Sequence, residues 1–254
     1  MTESVRTRLF LPQAGAKRLF TDDPEILEVA RVLRLRRGDR VGVFADDPLD
    51  YWYVVEKSDR NGLELRMTGK EINPANPVVP CVLFQAHGTA GKAGNIVREA
   101  AALGATEVIF FQAERSMGRG SENKIEKLQK VAIESCRQCG RSLVPKISSA
   151  EPDFPTALES VRREYPSITF LTLSPKGKEH LIMLPYSLVR AGIALVIGPE
   201  GGFSPDEESL LRSIPSRFIH LGRRILRMEL AAMASLVMVN TVLELAIGRD
   251  HEDR

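Results

Sequence analysis

No uninterrupted apolar run in the 254-residue sequence is long enough to cross a bilayer as a helix, which takes about 20 residues. The amino-terminal MTESVRTRLF has no apolar stretch of signal-peptide type, so the expectation is a cytoplasmic protein without a membrane partner. Cysteine is scarce: Cys81, Cys136 and Cys139 are too few, and odd in number, for a disulfide framework. Cys136 and Cys139 form a C-x-x-C at the end of a helical pattern. They lack the strand and proline context of a redox motif and a second Cys/His pair for zinc, so they read as two thiols near a helix end and no metal is expected. Two nucleotide-binding signatures are also missing. The turn HGTAGKAG (residues 87–94) has the wrong glycine spacing for G-x-G-x-x-G, and no phosphate-binding G-x-x-x-x-G-K-[ST] occurs. The net charge of +2 is too small to declare nucleic-acid binding by itself.

What is present falls into two parts. Residues 1–73 read as a small, mostly β module. Asp23 caps a helix that has Pro24 at its first position and Ile26, Leu27, Val29, Ala30 and Leu33 as its apolar stripe. Strands are expected at Arg40 to Phe44, Tyr51 to Val55 and Leu63 to Met67, with Asn61-Gly62 as a hairpin turn, and this spacing suggests a small barrel. The segment NPANPVVP (residues 73–80) resists both helix and central strand and marks a boundary. Residues 74–254 then alternate. Strands are expected at Cys81 to Ala86, Glu107 to Phe111, Ile168 to Leu173 and Ala194 to Ile197, and helices at Ala93 to Leu103, Ser121 to Cys139, Thr156 to Tyr165 and Met228 to Ile247. That is an α/β fold with a largely parallel sheet.

Two late turns carry the chemistry. In LVIGPEGGFSPDEE (Leu195 to Glu208) a buried strand is cut off by Gly198, Pro199, Gly201 and Gly202. Ser204 and Pro205 then open a helix, so backbone amides and a positive helix end face one place. In LGRRILRMELAAMASL (Leu221 to Leu236) a basic turn leads from the strand candidate Phe218 to His220 into a long helix. Between Arg212 and Met228 there are five arginines and no acidic residue, which suits a polyanionic substrate. Positive charge also gathers in residues 1–40, with nine Lys/Arg against six Asp/Glu, and in residues 115–146, with eight against three.

The order of four stretches resembles the RsmE family of ribosomal RNA methyltransferases in the SPOUT superfamily. They are RVLRLRRGD (Arg31 to Asp39), ERS (Glu114 to Ser116) with AIESCRQCGR (Ala132 to Arg141) and Pro145, IGPEGGFS (Ile197 to Ser204), and LGRRILRME (Leu221 to Glu229). The sequence departs from the family's usual Arg-Thr-Glu-Thr at Met228 and Leu230. It also has Arg98 where the first α/β helix usually carries Lys.

The resemblance implies S-adenosylmethionine-dependent methylation of N3 of a specific uridine in 16S rRNA of the small ribosomal subunit. It further implies a PUA-like RNA-binding barrel over residues 1–73, a methyltransferase domain with a trefoil knot over residues 74–254, and a homodimer. Cofactor contacts fall to Leu173, Ile197, Gly198, Gly201 and Gly202, and to Leu221, Gly222, Ile225 and Leu226. Arg227 is the expected catalytic cation, stabilising charge that grows on the base. Glu200 and Glu229 are the candidate proton acceptors. RNA contacts are expected from Arg8, Arg31, Arg34, Arg115, Arg141 and Lys146. A non-catalytic RNA-binding assembly protein and a ribose 2′-O-methyltransferase of the same superfamily stay open as alternatives.

Overall fold

The structure is a computed structural model that describes residues 7–88, 92–117, 125–150 and 153–252. It divides into two compact units, Met1–Asn76 with Cys136–Val144, and Pro77–Ser135 with Pro145–Arg254.

The first unit is built on a five-stranded sheet: β1 (Arg8–Phe10), β2 (Arg18–Thr21), β3 (Arg40–Phe44), β4 (Leu49–Asp59) and β5 (Gly62–Ile72). The strand order is β1-β3-β4-β5-β2. Among the described residues β1 and β3 run parallel, and β3, β4, β5 and β2 pair antiparallel in turn. The β4–β5 hairpin closes at the Asp59–Gly62 pair, where the Asp59 carboxylate accepts from the Asn61 amide at 2.8 Å. Its register shifts at Trp52/Tyr53 and Val55/Lys57 are irregularities that strengthen twist and curl the sheet. Helix α1 (Pro24–Val32) begins where proline is already pre-set for helix, with the Asp23 side chain accepting from the Glu25 amide. Alternate residues of β4 and β5, among them Tyr53, Val55, Leu63 and Leu65, point into a core shared with Leu9, Val41 and Ala30.

A buried ion pair completes this unit. The guanidinium of Arg8 grips both oxygens of Asp50 at 3.0 and 2.7 Å and donates to the carbonyl of Gly140 at 2.6 Å. Asn73 donates to Asp50, to the Gly140 carbonyl and to Ser142, and Ser142 donates to Asp50 at 2.5 Å. The Asn76 side chain accepts from the amides of Ser142 and Leu143, both at 2.9 Å. Residues 140–144 are thereby tied to the β sheet of this unit.

The second unit holds a seven-stranded sheet made of β6 (Cys81–Ala86), β7 (Glu107–Phe111), β8 (Lys146–Ala150), β9 (Thr169–Leu173), β10 (Glu179–His180), β11 (Ile193–Ile197) and β12 (Ser216–His220). The order is β10-β12-β9-β11-β6-β7-β8 and every pairing is parallel. Parallel strands are covered on both faces, which is why β11 is an unbroken apolar run, β6 is apolar except for Gln85, and both are buried at every residue. The helices are α2 (Ala93–Ala102), α3 (Ile125–Cys139), α4 (Phe154–Glu164), α5 (Tyr186–Val189), α6 (Pro205–Ser213) and α7 (Met228–Glu252). One core joins Val82, Phe84, Phe111 and Val196 of the sheet to Phe154, Leu158 and Val161 of α4 and Leu211 of α6. On α3, Cys136 is buried and Cys139 exposed, and both thiols are free. The expected start of α3 at Ser121 lies outside the described residues. Among the described residues no helix is long and apolar enough to cross a membrane.

Candidate cofactor site

Strands β9, β11 and β12 are neighbours, with β9 in the middle. From β9 the chain passes first to β10, two places away beyond β12, returns to β11 on the other side of β9 and then crosses to β12, so the connections leaving the carboxyl ends of these strands diverge. In parallel α/β sheets such a switch leaves a crevice at the strand ends. A cleft of about 360 Å³ opens there, lined by Leu173 to Lys176, Ile197 to Phe203, Ile219 to Gly222, Arg224 to Leu226, Met228 and Arg115.

The first loop is held rigidly. Ser204 and Glu207 form a reciprocal capping box, the Ser204 amide donating to Glu207 at 2.8 Å and the Glu207 amide to the Ser204 hydroxyl at 3.4 Å. The other oxygen of Glu207 accepts from the Glu114 amide at 2.9 Å, tying the turn after β7 to α6. Arg115, from that turn, donates to the carbonyls of Gly201 and Phe203 at 3.3 Å each. Gly198 lies against the Phe203 ring, which stacks at 5.7 Å on Phe154, and Gly202 turns with φ +72°.

The second loop leaves β12 through Gly222 at φ +115°, a conformation that L side chains rarely adopt. Among the described residues no atom lies within 4 Å of where a β-carbon at Gly202 or Gly222 would stand, so backbone there faces open space.

All nine residues expected to touch a cofactor, Leu173, Ile197, Gly198, Gly201 and Gly202 with Leu221, Gly222, Ile225 and Leu226, border this one cleft. Of the residues expected to act in chemistry, Glu200 lines it, whereas Arg227 and Glu229 are not part of its wall. Arg227 is exposed at the start of α7. Glu229 is drawn to Glu200 through a residue that sequence reasoning missed. The ammonium of Lys92 lies 3.3 Å from each of the two carboxylates. The Glu229 carboxyl is held below the usual glutamate value by its own backbone amide first, then by Lys92 and Arg227. The one signal for Lys92 was its place in the turn after β6, on the same edge of the sheet as the other loops.

The RNA assignments divide. Arg31 and Arg34 are exposed in the first unit, as are Arg36, Arg37 and Arg40, and Arg31 also pairs with Glu28. Lys146 is exposed and pairs with Glu107 and Glu164 at 3.4 and 3.5 Å. Arg115 is committed to the loop carbonyls of the cleft. Arg8 and Arg141 are corrections: they are 8% and 2% exposed, and the guanidinium of Arg8 is consumed by Asp50, Gly140 and Ser142. Neither reaches a phosphate from such a position.

Fold and cleft together define an α/β protein with an open cleft at the carboxyl edge of a parallel sheet. Residues 74–240 match the RNA methyltransferase domain family. The ribosomal RNA small subunit methyltransferase E of Synechocystis sp. is 30% identical over 216 residues, covering 84% of this chain and 70% of the relative. A putative methyltransferase from Legionella pneumophila, solved with S-adenosylmethionine, superposes with a TM-score of 0.76 at 26% identity, covering 93% of this chain and 98% of that one. The ribosomal RNA small subunit methyltransferase E of Neisseria gonorrhoeae, also bound to S-adenosylmethionine, shares the fold with a TM-score of 0.81 at 21% identity, covering 93% and 97%. The chain belongs to the RNA methyltransferase domain family and, within it, to the ribosomal RNA small subunit methyltransferase E family.

Proposed function

We propose that this protein transfers the methyl group of S-adenosylmethionine to N3 of a uridine in the 16S rRNA of the small ribosomal subunit. The observation that carries the reading is the convergence of two loops, separated by α6 and β12, on one cleft with Leu173. The residues fit the cofactor. Apolar side chains of Leu173, Ile197, Leu221 and Leu226 offer flat walls for a nucleobase, and the glycine backbone lies open beside them. Arg115, Lys176 and Arg224 supply cations, and Glu200 and Glu208 carboxylates, for a molecule carrying both signs of charge. S-adenosylmethionine, when bound, supplies the electrophilic methyl group.

The chain's own part is to orient, exclude water and accept a proton. Holding two reactants in attack geometry is worth about 7–11 kcal/mol, so the rigid loops are the main contribution. Arg227 stabilises charge growing on the uracil as a fixed cation at the mouth of the site. Glu200 and Glu229, held together by Lys92, are the carboxylates available to receive the N3 proton.

Three finer features belong to the same proposal. Residues 1–73 form a PUA-like RNA-binding module, supported by the curled mixed sheet and by the exposed Arg31, Arg34, Arg36 and Arg37. Residues 74–254 form a SPOUT methyltransferase domain with a trefoil knot. Support for the knot is that β9 and β10 are consecutive in sequence yet lie on opposite sides of β12. The connection between them presses on that strand: a β-carbon at Gly177 would fall 2.4 Å from the carbonyl carbon of Ile219. The protein works as a homodimer, a reading supported by Ile225, Leu230 and Val237, exposed apolar residues on and beside the first turns of α7.

The test is a labelled-methyl assay on small subunits from cells lacking the protein, followed by primer extension. Label on rRNA with a reverse-transcription stop at one uridine is the expected result, because N3 methylation blocks pairing. Label without a stop would move the reaction to ribose, and no label would end the enzymatic reading.

A further inference from the structure

Three neighbouring strands of the second unit end in the same local device. The Ser174 hydroxyl, after β9, accepts from the amide of Lys176 at 3.2 Å. His180, at the end of β10, accepts through Nδ1 from the amide of Ile182 at 3.3 Å. His220, at the end of β12, accepts through Nδ1 from the amide of Gly222 at 3.1 Å. Each is a side chain bonding the backbone two residues ahead, the arrangement by which Asn and Asp set turns. The two imidazoles meet edge to face at 5.0 Å.

The third of these bonds sits where the cleft needs it. Gly222 stands at φ +115°, and none of the described residues packs against the position a β-carbon would take, so the His220 bond is the contact that defines its place. His220 and Gly222 both line the cleft, as do Leu221, Ile225 and Leu226 beyond them.

We infer that His220 is a positioning residue for the cofactor loop: its Nδ1 fixes the Gly222 amide and so sets the path of Leu221 to Leu226 along the cleft. The inference rests on the proposed function for what the loop binds. The acceptor role requires the unprotonated nitrogen to be Nδ1, with the ring hydrogen on Nε2. Asparagine places its Oδ1 on the same γ-branch, so Asn at this position keeps the acceptor and Ala loses it.

The experiment compares the parent with His220→Ala and His220→Asn, using thermal melting to confirm that each is folded. One readout needs no cofactor: hydrogen exchange of the Gly222 amide in the protein alone. The other is calorimetric titration with S-adenosylmethionine. A single hydrogen bond is worth about 2- to 10-fold, so His220→Ala is expected to speed Gly222 exchange and weaken binding by that factor. His220→Asn is expected to return both toward the parent. Parent-like exchange and affinity in His220→Ala would overturn the inference, as would His220→Asn failing as badly as His220→Ala. A parent protein that bound no S-adenosylmethionine would instead overturn the proposed function, and the cofactor role of His220 with it, a result distinct from a parent and His220→Ala that bind equally well.

Discussion

Gly198→Ala tests whether the first cleft loop is as tightly fixed as its contacts imply. A β-carbon at position 198 lies 2.8 Å from Cε2 of Phe203 and 3.1 Å from both Cδ2 and Cζ. Carbon atoms rest at about 3.5–4.0 Å, so the ring must retreat by roughly 0.5–1 Å. It has little freedom to do so, because it stacks on Phe154 at 5.7 Å and on Phe111 at 6.4 Å. The Phe203 carbonyl is meanwhile held by Arg115. Forcing one methyl group into such packing costs about 1–3 kcal/mol. At about 2–4 °C per kcal/mol for a protein of this size, Tm should fall by roughly 2–12 °C. Affinity for S-adenosylmethionine, measured by calorimetry, should fall as well, since the displaced ring carries Gly201 and Gly202 with it. The double variant Gly198→Ala/Phe203→Leu gives the methyl room and should recover part of the loss, a coupling of about 0.5–3 kcal/mol expected for residues in contact. A Gly198→Ala protein that melted and bound like the parent would show that the loop adapts freely, and the reasoning from rigid backbone would be wrong.

Asp50→Ala strands Arg8 in the interior without its carboxylate and should destabilise the first unit by about 3–5 kcal/mol in denaturant melts; near-parent stability would mean the ion pair contributes little. Glu107 is buried beside Lys146 and Tyr165, and burial first of all raises its carboxyl above the usual glutamate range. A raised acid favours the fold below its unfolded value and loses that contribution as pH climbs through the folded value. Glu107→Gln should therefore melt at or above the parent Tm at pH 8, and a clear drop would refute this. Glu229 is the opposite case. Its depressed carboxyl adds stability above its ordinary value of 4.5, and this is lost as pH falls below it. Lys92→Met removes one cause of the depression, so acid unfolding should begin at higher pH than in the parent; an unmoved acid limb would count against the Lys92 pair. Charge reversal at Arg31 and Arg34 should weaken binding to rRNA fragments and flatten its dependence on log salt by about 0.7–0.9 per lost phosphate contact, whereas an unchanged slope would remove that face from the interface.

Which of these features the sequence disclosed follows from how far apart the interacting residues lie. Helix starts were legible because their causes are local: Asp23-Pro24 and Ser204-Pro205 each cap a helix in the structure, the latter with the full reciprocal box to Glu207. The cleft loops were legible for the same reason, since Gly198, Gly202 and Gly222 signal backbone made available to something other than a side chain. Strands β1, β2 and β10, of 3, 4 and 2 residues, are too short to show a period and were not seen. The insertion of β12 between β9 and β10 was equally hidden, because pairing order depends on contacts no window spans.

Arginine misled at Arg8 and Arg141, and the cause is physical. The conformation a glycine permits is decided within its own turn, but the meaning of a guanidinium depends on which distant acceptor reaches it. Arg8 meets Asp50 at a separation of 42 residues and Gly140 at 132, and a surface reading of its charge had no access to either. Lys92 was overlooked by the same logic run backwards, for its partners Glu200 and Glu229 are 108 and 137 residues away. Positive charge along this chain is therefore a weak guide to where RNA lies until each partner is known. The open glycine backbone at the edge of the parallel sheet is the firmer ground for the proposed place of the methyl donor.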